Sequence, residues 1–157
     1  MTTGGKTISI LLPWSPSANE IWRSLRGTGK PYLAAKYRVY LKNVLAYYTA
    51  QGAPKFANKE PLQVALRLFP PHNRSYDIDN RIKPTLDALT RAGLWIDDRY
   101  VRKLVVTAYV PVEKGAVVVE IEPFDEEREN EFVATILSWY GLKRLSPKTQ
   151  KKQRKSK

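Results

Sequence analysis

The sequence contains no cysteine and a single histidine, His72. That excludes disulfides, thiolate metal sites and cysteine nucleophiles, and it is compatible with a reducing cytoplasm. Histidine-rich zinc sites go as well, and a Ser-His-Asp triad loses most of its basis. No apolar run approaches the roughly 18 residues of a membrane span, and no signal-peptide pattern opens the chain. The expectation is a cytoplasmic protein with no membrane partner and no small-molecule cofactor. Acidic residues are the scarcer charge, 15 Asp+Glu against 27 Lys+Arg, for a net charge of +12. Such an excess speaks of partners and not of fold, with nucleic acid first and an anionic membrane surface second. Hydrolytic chemistry in this chain has to rest mainly on carboxylates and lysine.

What is present is enough for a folded body. The chain has 157 residues, 43% of them hydrophobic, with four Trp and nine Tyr. Residues 7–12 alternate as a strand, stopped by Pro13 and Pro16. A loop-like stretch to Tyr32 carries Asn19, Arg23, Arg26 and Lys30. Residues 34–50 have helical spacing, with Tyr37, Leu41, Val44, Leu45 and Tyr48 on one face. Residues 62–68 alternate as a half-buried strand, and a helix starting between Asp79 and Lys83 ends at Gly93, with Ile82, Leu86 and Leu89 as its buried stripe. Residues 103–110 and 116–122 read as two strands of a hairpin around Glu113-Lys114-Gly115. A last helix spans 125–142, its face marked by Phe132, Ile136, Trp139 and Tyr140, and residues 143–157 hold eight Lys or Arg and no acid. The expected class is α+β, a small mixed sheet packed with helices in the order β-α-β-α-β-β-α. The body spans 1–124, and a C-terminal helix and basic tail span 125–157.

The acids are not evenly spread. Five of the ten that precede position 125 fall in residues 77–98: Asp77, Asp79, Asp87, Asp97 and Asp98. Crowded carboxylates raise one another's pKa unless a cation neutralises them. An acidic knot in a basic chain therefore suggests a divalent metal within a surface that attracts a polyanion. In an extended segment Asp77 and Asp79 face one side, with Ile78 turned to the core between them. Asp98, after a turn anchored by Trp95-Ile96, closes the site from a third direction, and Lys83 lies one helical turn from Asp79. The same residues also fit a structural reading: Asp79 or Asn80 as a helix cap, Asp97-Asp98 as a polar turn, Lys83 and Asp87 as a surface pair.

Asp77-Ile78-Asp79-Asn80, Lys83, Asp87-Ala88-Leu89 and Gly93-Leu94-Trp95-Ile96-Asp97-Asp98 together resemble the signature of the RusA family of Holliday junction resolvases. The opening Leu12-Pro13-Trp14-Ser15-Pro16-Ser17, with Asn19 and Arg23 after it, is similar to that family's start, and the likeness covers roughly residues 7–122. The resemblance implies a homodimer with two Mg²⁺-dependent sites (Mn²⁺ substituting) that nicks a four-way DNA junction symmetrically. It assigns Asp77, Asp79 and Asp98 as metal-binding catalytic carboxylates and Lys83 as the catalytic lysine, with Asp97 a weaker candidate. Asn19, Arg23, Arg26, Lys30, Arg74 and Arg81 are the candidate DNA contacts. Three departures stand out: the loop before Asp77 is less basic than the family's, Glu20 places an acid in the N-terminal loop, and the segment from 125 onward exceeds the family core and is a candidate source of the missing phosphate affinity. Rival readings are a metal nuclease for other branched DNA or RNA, a junction-binding protein without chemistry, and an anionic-membrane adaptor acting through the tail.

Overall fold

The structure, a computed structural model, describes residues 7–56 and 59–144. The expected frayed N-terminus and all but the first two residues of the basic tail lie outside them. The fold is α+β, with a mixed sheet, as the sequence implied. Strand β1 (Ile8–Pro13) is followed by a short 3-10 turn (Ala18–Glu20), a small hairpin of β2 (Trp22–Ser24) and β3 (Pro31–Leu33), and helix α1 (Ala35–Ala50). Then come β4 (Leu62–Phe69), helix α2 (Asp79–Ala92), a second 3-10 turn (Asp98–Tyr100), β5 (Val101–Ala108), β6 (Ala116–Pro123) and α3 (Glu126–Trp139). The chain separates after Phe124 into two compact units.

The main sheet has the order β1-β6-β4-β5. This corrects the expected hairpin. β5 and β6 do not pair, because β4 lies between them, antiparallel to β6 and parallel to β5. The cause is α2: parallel neighbours need a crossover connection, and α2 supplies it, returning the chain so that Val101 starts beside Leu62. The strong turn signal at Lys114-Gly115 is real, since both have positive φ and Gly115 N–H donates to Val112 C=O at 3.0 Å. It turns the chain toward β6 without making its two flanking strands neighbours.

Alternation in β4 and β6 sends Leu62, Val64, Leu66 and Leu68, with Val117, Val119 and Ile121, into the core. α1 closes that core with Tyr37, Tyr40, Val44 and Tyr48. The expected face was one residue off: Leu45 is exposed, and Tyr40 takes the buried place. Helical spacing admits either, and the larger aromatic covers more of the sheet. At the C-terminal end of α1, Gln51 accepts from Leu11 N–H and donates to Leu11 C=O, both at 2.8 Å, so the outer edge of β1 is bonded by a side-chain amide. In the C-terminal unit, Asp125 caps α3 by accepting from Arg128 N–H at 3.0 Å. Phe132, Trp139 and Tyr140 are exposed there, and α3 has no buried residue.

Tyr37 has its hydroxyl buried with no hydrogen-bond partner among the described residues. Burial, the largest influence, pushes its pKa from 10.0 up to about 12. Tyr37→Phe removes an unsatisfied polar group without changing ring packing, so at neutral pH it is expected to stabilise the fold by about 1 kcal/mol. The wild type resists ionisation that its unfolded chain accepts near pH 10. This contribution is therefore intact below pH 10 and lost as pH rises toward 12. Melting Tyr37→Phe beside wild type across that range should show a shallower alkaline decline in the variant.

Candidate active site

The loop from Pro70 to Tyr76 leaves the end of β4 and delivers Asp77. Ile78, the N-cap of α2, already has helical φ and ψ of −59° and −45°. The segment is therefore not extended, and Asp77 and Asp79 do not share a face as an i,i+2 pair in a strand would. Successive helical residues rotate by about 100°, so the side chain that meets Asp77 is Asn80, whose amide donates to it at 3.2 Å. Ile78, expected to face the core, is 39% exposed for the same reason.

Asp79, Lys83 and Asp87 form one flank of α2, as their spacing requires. Lys83 Nζ lies 3.2 Å from an Asp87 carboxylate oxygen, a solvent-facing pair worth roughly 0.2–0.5 kcal/mol. Thus Asp87 orients Lys83, while Asp77 and Asp79 themselves are exposed at the head of the helix. Pro84, inside α2, is buried with Thr85, Leu86, Ala88 and Leu89. Gly93, at φ 90°, stops the helix through N–H donation to Leu89 and Thr90 carbonyls.

Asp98 lies elsewhere. α2 is 14 residues long, which at 1.5 Å per residue carries the chain about 20 Å away from Asp79. Asp98 then sits three residues before Val101, at the Leu62 end of the sheet, whereas Asp77 follows from the Phe69 end. Among the described residues no three Asp, Glu or His side chains gather closely enough to hold a metal ion. The expectation that Asp98 closes the site within one chain is therefore not met. Asp97 is engaged locally: it caps the 3-10 turn by accepting from Arg99 N–H at 2.9 Å. Trp95 is buried and donates to Thr90 Oγ1 at 2.6 Å, but Ile96 beside it is 56% exposed.

Arg81 is not a free surface cation. Its guanidinium is stacked over Trp14 at 5.0 Å and Tyr76 at 5.8 Å and donates to Ser15 C=O at 2.6 Å. Desolvation by burial lowers its pKa, and Glu20, Tyr76 and Asp77 oppose that shift. The stack ties the Pro13–Ser17 loop to the head of α2. Sequence patterning marked Arg81 as one more cation. Tyr76 lies five positions before it, but Trp14 lies sixty-seven positions before it, and only the fold joins the two rings around it.

The other candidate contacts are spread over two loops. Asn19 is exposed in the first 3-10 turn, and Arg23, Arg26 and Lys30 are exposed on the β2–β3 hairpin, which the sequence showed only as a loop. Arg74 is exposed in the loop that leads to Asp77, as is His72. Glu20, the departure noted above, has a structural task. It completes a capping box with Ser17 and pairs with Lys36 at 2.9 Å. The Lys36 hydrogen bond and the Ser17 N–H hold its carboxyl below the usual carboxylate range.

Comparison with known proteins adds the remaining finding. The family model described as Endodeoxyribonuclease RusA matches residues 13–122. Crossover junction endodeoxyribonuclease RusA of Escherichia coli (strain K12) is 36% identical over 109 residues, covering 69% of this chain and 88% of the relative. The proteins of that name from Shigella sonnei (strain Ss046) and Enterobacteria phage 82 are each 35% identical over the same length and coverage. The matched span includes β4, α2 and both ends on which the aspartates sit, and on this ground the chain belongs to the RusA family of endodeoxyribonucleases.

Proposed function

We propose that this protein is a Mg²⁺-dependent, structure-selective endodeoxyribonuclease that resolves four-way DNA junctions by paired symmetric nicks. The setting is recombination, repair or phage DNA processing in the cytoplasm of a bacterial or phage-infected cell. The observation that carries this reading is the exposed head of α2, where Asp77 precedes the helix, Asp79 begins it and Lys83 follows one turn on, in a chain of net charge +12. The donors suit the ion: Mg²⁺ takes hard oxygen ligands, typically one or two carboxylates completed by water and substrate phosphate. Asp77 and Asp79 would hold it, with Mn²⁺ as a substitute; Asp98, at the far end of α2, would join them only from the second copy of a homodimer. Bound there, the metal supplies a water of lowered pKa and polarises the phosphoryl oxygen.

The chain's own groups do the rest. Asn80 fixes the orientation of Asp77, and Asp87 holds Lys83 on the flank that Asp79 begins. The Lys83 ammonium, aimed at the scissile phosphate, stabilises the extra negative charge that develops in the transition state. Arg23, Arg26, Lys30 and Arg74, with Asn19, contact the DNA backbone, where each neutralised phosphate steepens the salt dependence by about 0.9 in log–log slope. Arg81 serves as the brace between the Pro13–Ser17 loop and α2, in place of the phosphate contact suggested by its charge. Two symmetric nicks need two sites, which a two-fold homodimer supplies.

The test is to offer a labelled four-way junction, a flap and a linear duplex in Mg²⁺, Mn²⁺ and EDTA. Paired nicks confined to the junction and abolished by EDTA are expected. Equal cutting of every branched substrate would remove the resolvase assignment. Tight junction binding with no nick in either metal would make this a binding protein.

A further inference from the structure

α3 lies in the second compact unit, beyond the residues that the family model matches. Charge in this part of the chain is divided along its length. Residues 125–142 carry Asp125, Glu126, Glu127, Glu129 and Glu131 against a single cation, Arg128. Residues 143–157 carry eight Lys or Arg and no acid, in a chain whose whole net charge is +12. Trp139, Tyr140 and Leu142 stand between the two runs. We infer that this end of α3 is a second nucleic-acid contact, selective for unpaired nucleotides. Trp139 and Tyr140 stack on bases, and the cations from Lys143 onward take the phosphates.

The rings sit on a well-defined helix end. Gly141, at φ 63°, turns the chain out of the helix. Its N–H donates to Ser138 C=O at 3.4 Å, and Leu142 N–H donates to Leu137 C=O at 2.9 Å, the paired bonds of a Schellman motif. The chain then doubles back, and Arg144 donates to Asn130 Oδ1 at 3.3 Å. Trp139 and Tyr140, at 73% and 74%, are the most exposed large apolar side chains among the described residues, and Leu142 is 58% exposed. Open rings beside a basic run make a stacking platform, because every base has a π-face and every nucleotide a phosphate. A duplex keeps those faces covered by its own stacking, so the platform favours single-stranded DNA. Successive helical residues differ by about 100°, so the two rings flank the helix end and a crossing strand lays one base on each.

The glutamates decide between a DNA strand and an anionic bilayer. Aromatic rings and lysines also suit a membrane interface, but there a helix lies flat with cations along its polar face. The charged side chains of α3 are four Glu and one Arg, so a flat approach would press the glutamates against anionic lipid. A strand that crosses only the C-terminal end avoids them. Glu131 and Glu126 precede Trp139 by eight and thirteen residues. At 1.5 Å per residue that is about 12 and 20 Å along the axis. Both distances exceed the Debye length of about 8 Å at physiological ionic strength, which screens the aromatic end from the acids.

This contact makes no use of the carboxylates at the head of α2, so it is measured on the full chain in EDTA. Anisotropy of labelled oligo(dT) and of the matching duplex is followed across a salt series. Trp139→Ala with Tyr140→Ala is expected to weaken oligo(dT) binding by about tenfold or more, as base–aromatic stacking is lost. Duplex binding and the salt slope should be unchanged. Trp139→Phe with Tyr140→Phe keeps both rings and should keep most of the oligo(dT) affinity. Lys151→Gln with Lys152→Gln should instead lower the log–log salt slope on oligo(dT) by about 1.4, at roughly 0.7 per cation. Equal oligo(dT) affinity in the alanine and wild-type chains overturns the inference, and so does an equal loss on oligo(dT) and duplex. An alanine chain that leaves phosphatidylserine vesicles but keeps its oligo(dT) affinity assigns the rings to a membrane and overturns it too. A wild type that binds oligo(dT) through the rings yet nicks no junction in Mg²⁺ loses the nuclease reading and keeps this one.

Discussion

Asp79→Asn is expected to leave the protein folded and to remove junction cleavage. Asp79 is the first residue of α2, exposed, and bonded to no other side chain among the described residues. Asparagine has the same shape, so no packing changes. The stability cost is confined to a lost favourable interaction with the helix N-terminus, about 0.3–1 kcal/mol. Catalysis loses far more. A metal ion contributes several kcal/mol of transition-state stabilisation, and each 1.36 kcal/mol is a factor of ten in rate, so the expected loss is roughly 100-fold to 1,000-fold or beyond. Removing a carboxylate from a surface that meets a polyanion should also not weaken DNA binding. The measurement pairs cleavage of a labelled four-way junction, in Mg²⁺ and then EDTA, with a binding titration and a thermal melt. Lost cleavage with retained binding and a nearly unchanged melt places the chemistry at the head of α2. Full cleavage by the variant would take the site away from it.

Periodicity is legible where an element is long and buries one face. Alternation gave β4 and β6 because each runs eight residues with one face in the core, where a period of two is unmistakable. α2 was legible from Pro84 near its start, the Ile82-Leu86-Leu89 stripe and Gly93 at its end. β2 and β3 were missed because three residues each are too short to show a period, although the turn glycines, Gly27 at φ 87° and Gly29 at φ 65°, were in plain view. The false hairpin has a different origin. A turn signal reports that the chain reverses, not which strand lies beside which, and the pairing of β5 with β4 is decided by a crossover helix thirty residues away. The site divides in the same way. Asp77, Asp79, Lys83 and Asp87 are close in sequence, so helical spacing placed three of them correctly. Asp98 is placed in the same site by the turn after the helix and by the family resemblance, whereas a rigid helix of 14 residues holds that turn away from Asp79 within one chain. Ile78 is read as core from alternation in an extended segment, which the helical backbone at Ile78 removes, and Ile96 from its place beside Trp95, where only the tryptophan is buried.

Gly115→Ala is expected to be the most damaging small substitution among the turn glycines and to reach the active site. Gly115 has φ +67°, where an L-residue costs roughly 1–2 kcal/mol. Its surroundings add to this: a Cβ there would stand 2.8 Å from Pro71 Cδ, 2.9 Å from Pro71 N and 3.0 Å from Trp14 Cβ. Two of these neighbours belong to a proline ring and its backbone, which cannot swing aside, and overpacking of this kind costs about 1–3 kcal/mol. The combined loss is about 2–5 kcal/mol, or a melting temperature lower by roughly 4–20 °C in a domain of this size. Gly52→Ala is the matched control, because Gly52 has φ +89° and nothing within 4 Å of the added carbon, so only the conformational part applies. The excess of Gly115→Ala over Gly52→Ala measures the contact. That contact has a functional consequence because of what it touches. Pro71 opens the loop that carries Asp77, and Trp14 is the ring on which Arg81 rests. Pushing both away loosens the brace at the head of α2, so junction cleavage, assayed well below the melting point, should fall in Gly115→Ala and hold in Gly52→Ala. Equal activity in the two variants would mean that the Gly115 turn supports the fold without positioning the carboxylates.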